Sequence, residues 1–191
     1  LGLSLCLIDM MNENVIQILV KSELLGASDT VDGAISPSWS NDSQKIIFLS
    51  SISLPSSGGK AVATRNIWLF DISTQTAELV LSDNTDEISY IFNPIFLSGD
   101  NSVLFSGRRE QFNTIFKYDI DSRKIRDLTS TGNSFDLVNF VLSPDENSFL
   151  VHIPSPSNST QYVPTRYSLD GHWQEQLNSL ANFQVISWIA P

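Results

Sequence analysis

The sequence predicts an all-β fold, a β-propeller of four-stranded antiparallel blades. It predicts a partial propeller, with about three complete blades and partial blades at the ends. Three observations carry this: short apolar runs alternate with turn residues, the same plan recurs along the chain, and the spacing between recurrences holds. The stretch Asn93 to Ser130 shows the plan best. Pro94 to Leu97 is apolar and leads into the turn Ser98-Gly99-Asp100-Asn101. Val103, Leu104 and Phe105 follow, then a polar break from Gly107 to Gln111. Ile115, Phe116 and Tyr118 precede the turn Asp119-Ile120-Asp121-Ser122, and Ile125 and Leu128 make a weaker fourth run. Runs this short, rich in β-branched and aromatic residues and bounded by Gly, Asn, Asp and Ser, read as strands. Ser-x-Asp suits a turn because both side chains can bond nearby backbone amides.

The plan recurs on both sides. Upstream, Pro37-Ser38-Trp39-Ser40-Asn41-Asp42 matches the run into Asp100 with a slip of one, and Trp68-Leu69-Phe70-Asp71-Ile72 matches Phe116 to Ile120. Downstream, Phe140 to Asp145 repeats the first turn, and Tyr167-Ser168-Leu169-Asp170 aligns with Tyr118 to Asp121. Asp71 to Ser82, Asp119 to Ser130 and Ser168 to Ser179 each span 11 residues. Asp100 to Asp145 is 45 residues; Asp42 to Asp100 is 58 because of an insertion. A period in the mid-forties with four strands per unit is that of a propeller. A β-sandwich would also give short strands at regular spacing, but would not require the repeated turn.

In order, residues 1–22 read as the second half of a blade, with Asp9 at the place of Asp71 and Asp119. Complete blades follow at 34–83, 87–130 and 134–179, and 182–191 reads as the first strand of a further or closing blade. Ser51 to Arg65 and Pro154 to Thr160 read as long loops, the second because two prolines argue against a central strand. Open strand edges would follow from such an array, with self-association through them. A longer propeller, or closure within this chain, would remove those edges.

These units resemble the WD-repeat-like blades of the TolB family. Its pattern is roughly P-x-W-S-P-D-G-x-x-I-x-F, then I-Y/W-x-x-D, then a D-G turn and L-T. Pro37, Trp39, Ser40, Asp42, Ile46, Phe48, Ile67, Trp68 and Asp71 fit it. So do Ser98, Asp100, Ile115, Phe116, Asp119, Leu128, Thr129 and Ser143-Pro144-Asp145. No copy carries the full Pro-Asp-Gly turn, and Thr129 alone keeps the Leu-Thr ending. The resemblance covers nearly the whole chain. It implies a protein-binding propeller in the bacterial periplasm or at the cell surface, or else a propeller gating a prolyl-oligopeptidase-like serine peptidase. No cofactor is expected.

Composition narrows the partners. The net charge of −10 leaves no basic footprint for nucleic acid. The apolar start, Leu1 to Ile8, is too short to span a membrane. The one cysteine, Cys6, sits in an apolar run and reads as a buried strand residue.

No catalytic or metal-binding constellation emerges. There is no G-x-S-x-G elbow. His152 and His172 fall in different blade positions, and no Cys or His pair has metal-ligand spacing. Asp119-x-Asp121 is too sparse in oxygens for calcium. Asn41-Asp42-Ser43 and Asn158-Ser159-Thr160 fit glycosylation sequons. The loops after the second strand of each blade hold the candidate partner-binding residues: Ser56, Gly58, Lys60, Arg108, Arg109 and Asn158. The leading expectation is a non-enzymatic module that binds another protein; the alternatives are a segment of a larger peptidase and a carbohydrate-binding propeller. Trp39, Phe96, Phe140 and Trp188 are expected to pack between blades, with Trp39→Ala costing about 3–5 kcal/mol.

Overall fold

A computed structural model of the chain describes residues 5–18, 30–54, 62–83, 85–97, 101–129, 140–155 and 158–180. These residues form fourteen strands, β1 to β14 in chain order. β1 (Leu5–Asp9) and β2 (Asn14–Ile18) make a two-stranded sheet. Three four-stranded sheets follow. The first holds β3 (Thr30–Trp39), β4 (Lys45–Leu54), β5 (Val62–Asp71) and β6 (Thr76–Leu81). The second holds β7 (Ile88–Leu97), β8 (Ser102–Arg109), β9 (Phe112–Asp119) and β10 (Lys124–Asp127). The third holds β11 (Phe140–Leu142), β12 (Ser148–Ser155), β13 (Asn158–Ser168) and β14 (Gln174–Gln176). In all three the strand order is the chain order, the meander of a propeller blade. The fold is a partial β-propeller. No helix among the described residues is long and apolar enough to cross a membrane. The chain divides into two compact units, Leu1–Gly99 and Asp100–Pro191.

The turns fold from their own side chains. At Ser40 the hydroxyl donates to Asp42 Oδ1 (2.6 Å) and accepts the Lys45 N–H (2.9 Å), while Asp42 Oδ1 also accepts the Gln44 N–H (3.0 Å). Ser143 repeats this with Asp145 (2.6 Å) and the Ser148 N–H (3.0 Å). The β13–β14 turn is a third version, with Ser168 Oγ accepting the Trp173 N–H (3.1 Å) and Asp170 Oδ1 accepting the His172 N–H (2.9 Å). The fourth residue of each turn is left-handed: Ser43 at φ 58°, Glu146 at φ 52°, Gly171 at φ 77°. Where the family pattern has glycine, two of these turns hold a side chain that a left-handed backbone disfavours. Asp9, Asp71 and Asp119 cap the other turns, each Oδ1 accepting a backbone N–H from Met11 (2.9 Å), Thr74 (3.0 Å) and Ser122 (2.7 Å).

In the first unit the β3–β6 sheet is buried on both faces. Ile46 is the Cα partner of Phe70 and Phe48 of Trp68, so these four share a face. They form a core with Ile18, against which Leu5, Leu7 and Ile16 of the two-stranded sheet pack. Ile47, Leu49, Ile67 and Leu69 fill the opposite face, and β7 packs against this sheet. Two buried faces explain why Ile46 to Leu49 and Ile67 to Phe70 are unbroken apolar runs rather than alternating ones. Trp68 is fully buried, and its indole N–H donates to Ser50 Oγ at 2.7 Å.

Four expectations need correction. Trp39 is 51% exposed; Phe96 and Phe140 are buried, and Trp188 lies outside the described residues. Register explains part of it: Trp39 pairs with Ile46 beside its turn, as Leu142 pairs with Phe149, so Trp39 and Phe140 are not equivalent. Cys6 is exposed, because β1 turns Leu5 and Leu7 inward and Cys6 alternates with them. The stretch read as a loop from Pro154 to Thr160 is largely strand: Pro154 pairs with Tyr162 and Ser155 with Asn158. A register shift between Pro154 and Ser155 accommodates the missing proline N–H. Ser51 to Leu54 likewise continue the ladder with Val62 to Arg65, so both ends of the expected loop, with 55–61 left between them, are strand. Residues 55–61 lie outside the described set.

Candidate functional site

Antiparallel order places the β4–β5, β8–β9 and β12–β13 connections at the end of each sheet opposite the Ser-x-Asp turns. That end carries three of the sequence-predicted partner residues, Arg108, Arg109 and Asn158. Arg108 and Arg109 are not in a loop: they are the last two residues of β8, and the loop is reduced to Glu110 and Gln111. Asn158 begins β13 rather than lying in a loop. Ser56, Gly58 and Lys60 lie outside the described residues.

Each unit, taken by itself, holds an arginine seated on an aromatic ring. In the second unit the Arg109 guanidinium lies 5.1 Å from the Phe116 ring centroid and forms an ion pair with Asp127 at the end of β10. Both members of that pair are about one-third exposed, at 30% and 33%. Arg108 Nε–H donates to Asn113 Oδ1 at 3.3 Å. Beneath them the Ile115 N–H donates to Thr129 Oγ1 at 2.9 Å, which gives the one retained Leu-Thr ending a structural role. In the first unit the Arg65 guanidinium stacks 3.7 Å above Phe92. Burial lowers the Arg65 pKa, and the nearby Asp83 charge opposes that shift. The Asp83 N–H donates to Asn66 Oδ1 at 2.9 Å, tying the end of the sheet to the segment leading into β7.

Arg108 and Arg109 are among the sequence-predicted partner residues, and Arg65 is not. Arg65 and Phe92 lie on different strands, and no local pattern joins them. Guanidinium groups set over aromatic rings combine a cation–π contact with N–H donors of the kind that pair with carboxylates or carbonyls. The histidines do not join it, His152 sitting in β12 and His172 in the β13–β14 turn. Among the described residues no group of three or more His, Cys, Asp or Glu is placed to hold a metal ion.

The fold and this end of it define a class, the β-propeller, and comparison with known proteins narrows the resemblance. No family model and no curated protein sequence matches the chain. Among solved structures it is similar to TolB from Acinetobacter baumannii, at 21% identity and a TM-score of 0.61 over 91% of this chain and 37% of that one. Porphyromonas gingivalis dipeptidyl peptidase 4 matches at 11% identity and a TM-score of 0.62, over 96% of this chain and 24% of that one. The tricorn protease matches at 11% identity and a TM-score of 0.53, over 91% of this chain and 19% of that one. The chain therefore spans 37% or less of the length of each. At these identities the likeness shows a TolB-like propeller fold.

Proposed function

We propose that this chain is a non-enzymatic propeller module that binds another protein through the end of its sheets opposite the Ser-x-Asp turns. The observation that carries it is the seating of Arg65 and Arg109 on Phe92 and Phe116. Arginine and aromatic side chains are enriched where protein surfaces recognise one another, and a pre-positioned guanidinium loses little freedom on binding. The partner surface would carry carboxylates or exposed carbonyls. A periplasmic or cell-surface location follows from the TolB resemblance and belongs to the same proposal.

The test is affinity capture with the chain as bait, followed by a binding isotherm for each captured protein. Arg109→Ala and Arg108→Ala, and separately deletion of Pro55 to Gly59, should weaken a genuine partner by about tenfold or more, a loss of ~1.4 kcal/mol. Binding that ignores all of these changes would refute the site. A second reading rests on the coverage of 96% of the chain by dipeptidyl peptidase 4. In it, this chain is a propeller segment of a peptidase whose catalytic groups lie elsewhere. Peptidase activity from the natural full-length polypeptide would favour that reading.

A further inference from the structure

We infer a second interaction site, distinct from the arginine end: Lys117, Lys124 and Arg126, at the outer corner of the second four-stranded sheet, bind an extended acidic segment of another protein. The internal repeat carries the argument. Two residues before Asp71, Asp119 and Ser168 stand Leu69, Lys117 and Arg166, at equivalent places in the three sheets. Their Cα partners on the outermost strands are Glu78, Arg126 and Glu175. The first and third sheets thus set a carboxylate at this place, and in the third it stands opposite the arginine. The second sheet sets a guanidinium there, directly across from an ammonium. Like charges opposite one another weaken a ladder, so a structural role alone would favour glutamate here too.

Lys124 adds to the reversal. It is the Cα partner of Asp119 and lies two residues before Arg126 on β10, so it shares a face with Arg126 and Lys117. The first sheet has Thr76 at that place. Lys124 and Arg126 are exposed, and Lys117 is half-buried. Two carboxylates act on this corner, Asp119 on Lys117 and Lys124, and Asp170 on Arg126. Each serves its own turn, accepting the Ser122 N–H (2.7 Å) and the His172 N–H (2.9 Å). In the β9–β10 turn, Arg123 offsets Asp121, whose Oδ1 accepts the Asn101 Nδ2–H (2.9 Å). The corner therefore keeps a surplus cation in a chain whose net charge is −10. Arg126 is also oriented: its Nη2–H donates to the Leu169 carbonyl at 2.7 Å, using one of the five donors of a guanidinium fork suited to carboxylates.

Geometry and charge select the occupant. Residues two apart on a strand stand roughly 7 Å apart, so Lys124 and Arg126 match carboxylates at alternate positions of an extended segment. One exposed ion pair contributes little, so retention needs several linked carboxylates. Asp119 and Asp170, both held ionised alongside, disfavour the denser charge of a phosphate. Two copies of a chain carrying −10 repel, which points to a different protein.

The experiment uses the full chain and a dye-labelled peptide of alternating glutamate and threonine between terminal glycines. Fluorescence anisotropy should show saturable binding at or below about 1 mM, weakening as salt rises. Arg126→Glu, which restores the residue type of the other two sheets, should weaken binding about tenfold or more. Because that change also removes the bond to Leu169, Lys117→Gln and Lys124→Gln supply the second test. Each should weaken binding about threefold without lowering the melting temperature. Arg109→Ala should leave binding unchanged, which separates failure of this site from failure of the arginine end. Absence of saturable binding, or binding indifferent to all three corner substitutions, would overturn the inference. So would equally tight binding of a lysine–threonine peptide or of free glutarate, because a linked row of carboxylates would then not be what is recognised. Tighter binding of the same peptide with phosphoserine in place of glutamate would overturn it as well, the ligand then being a phosphate.

Discussion

The first and third four-stranded sheets share a turn and differ in what they bury. Ser40 and Ser143 make the same bonds to Asp42 and Asp145 and to the returning strand. Away from the turn the likeness fades. Register places Phe48 opposite Trp68 in one sheet and Val151 opposite Thr165 at the same step of the other. The next step inverts polarity: Ile47–Leu69 in the first sheet corresponds to Leu150–Arg166 in the third. Arg166 there bonds Ser148 Oγ through Nε–H at 3.0 Å and lies 5.0 Å from the Trp173 ring centroid. The repeat is thus held by local hydrogen bonding, while the faces of each sheet are free to follow what covers them.

Six substitutions should sharpen that contrast, and acid titration should leave its terms intact at neutral pH. The largest effect belongs to Trp68→Ala, which removes a fully buried indole and leaves Ser50 without its donor; about 3–5 kcal/mol of stability should be lost. Thr165→Ala at the corresponding step should cost only about 1 kcal/mol. Urea denaturation of the two variants measures the difference, and equal losses would mean that the sheets are packed alike.

Ser143→Ala and Ser40→Ala should each cost about 1–3 kcal/mol, since a backbone N–H, buried at Ser148 and part-buried at Lys45, loses its acceptor. Their near-equality is the point: a large disparity would break the equivalence of the turns.

Changes in the opposite direction should come from Glu146→Gly and Tyr167→Phe. Glycine relieves the left-handed strain at φ 52° and should stabilise by roughly 0.5–1 kcal/mol, the gain in strain exceeding glycine's entropy cost. Tyr167 is stacked on Phe149, and its buried hydroxyl has no hydrogen-bond partner among the described residues. Phenylalanine is what the first sheet has at that step, Phe70, and the change should be neutral or stabilising by about 1 kcal/mol. Burial pushes the Tyr167 phenol up from 10.0 to about 12. The unfolded chain therefore ionises first, and stability should fall as pH rises across that interval. Tyr167→Phe should flatten the alkaline limb in a melting-temperature profile.

The smallest and most diffuse effect is acid sensitivity. Asp9, Asp42, Asp71, Asp119, Asp145 and Asp170 are held below the usual carboxylate range, chiefly by hydrogen bonds from turn side chains. A depressed folded-state pKa adds stability above the unfolded value and loses it as pH falls through the folded one. The melting temperature should hold down to about pH 5 and decline below the ordinary carboxylate range, with Asp→Asn at a single turn removing part of the slope.

The turns were legible because each is written in one short window: Ser and Asp two apart bond amides within the same few residues. The fold followed from their recurrence. What escaped were properties that depend on two strands at once. Cys6 lies in an apolar run, but the run does not say which alternate residues face the core. Pro154 looked like a breaker because its missing N–H matters only if that position must donate, and at a register shift it need not. Trp39 looked like a core aromatic because its own window does not say what packs across from it, and it is 51% exposed. At the arginine end Arg108 and Arg109 could be read from the chain, whereas the pairing of Arg65 with Phe92 depended on two separate strands.

Cys6 gives the molecule a practical property. It is the sole sulfhydryl of the chain, and it sits on the outward face of β1. One maleimide fluorophore would attach at a single defined address without any engineered residue. Energy transfer from that address to a dye on a captured partner would report binding in real time, and exchange of bound for free partner would give its residence time.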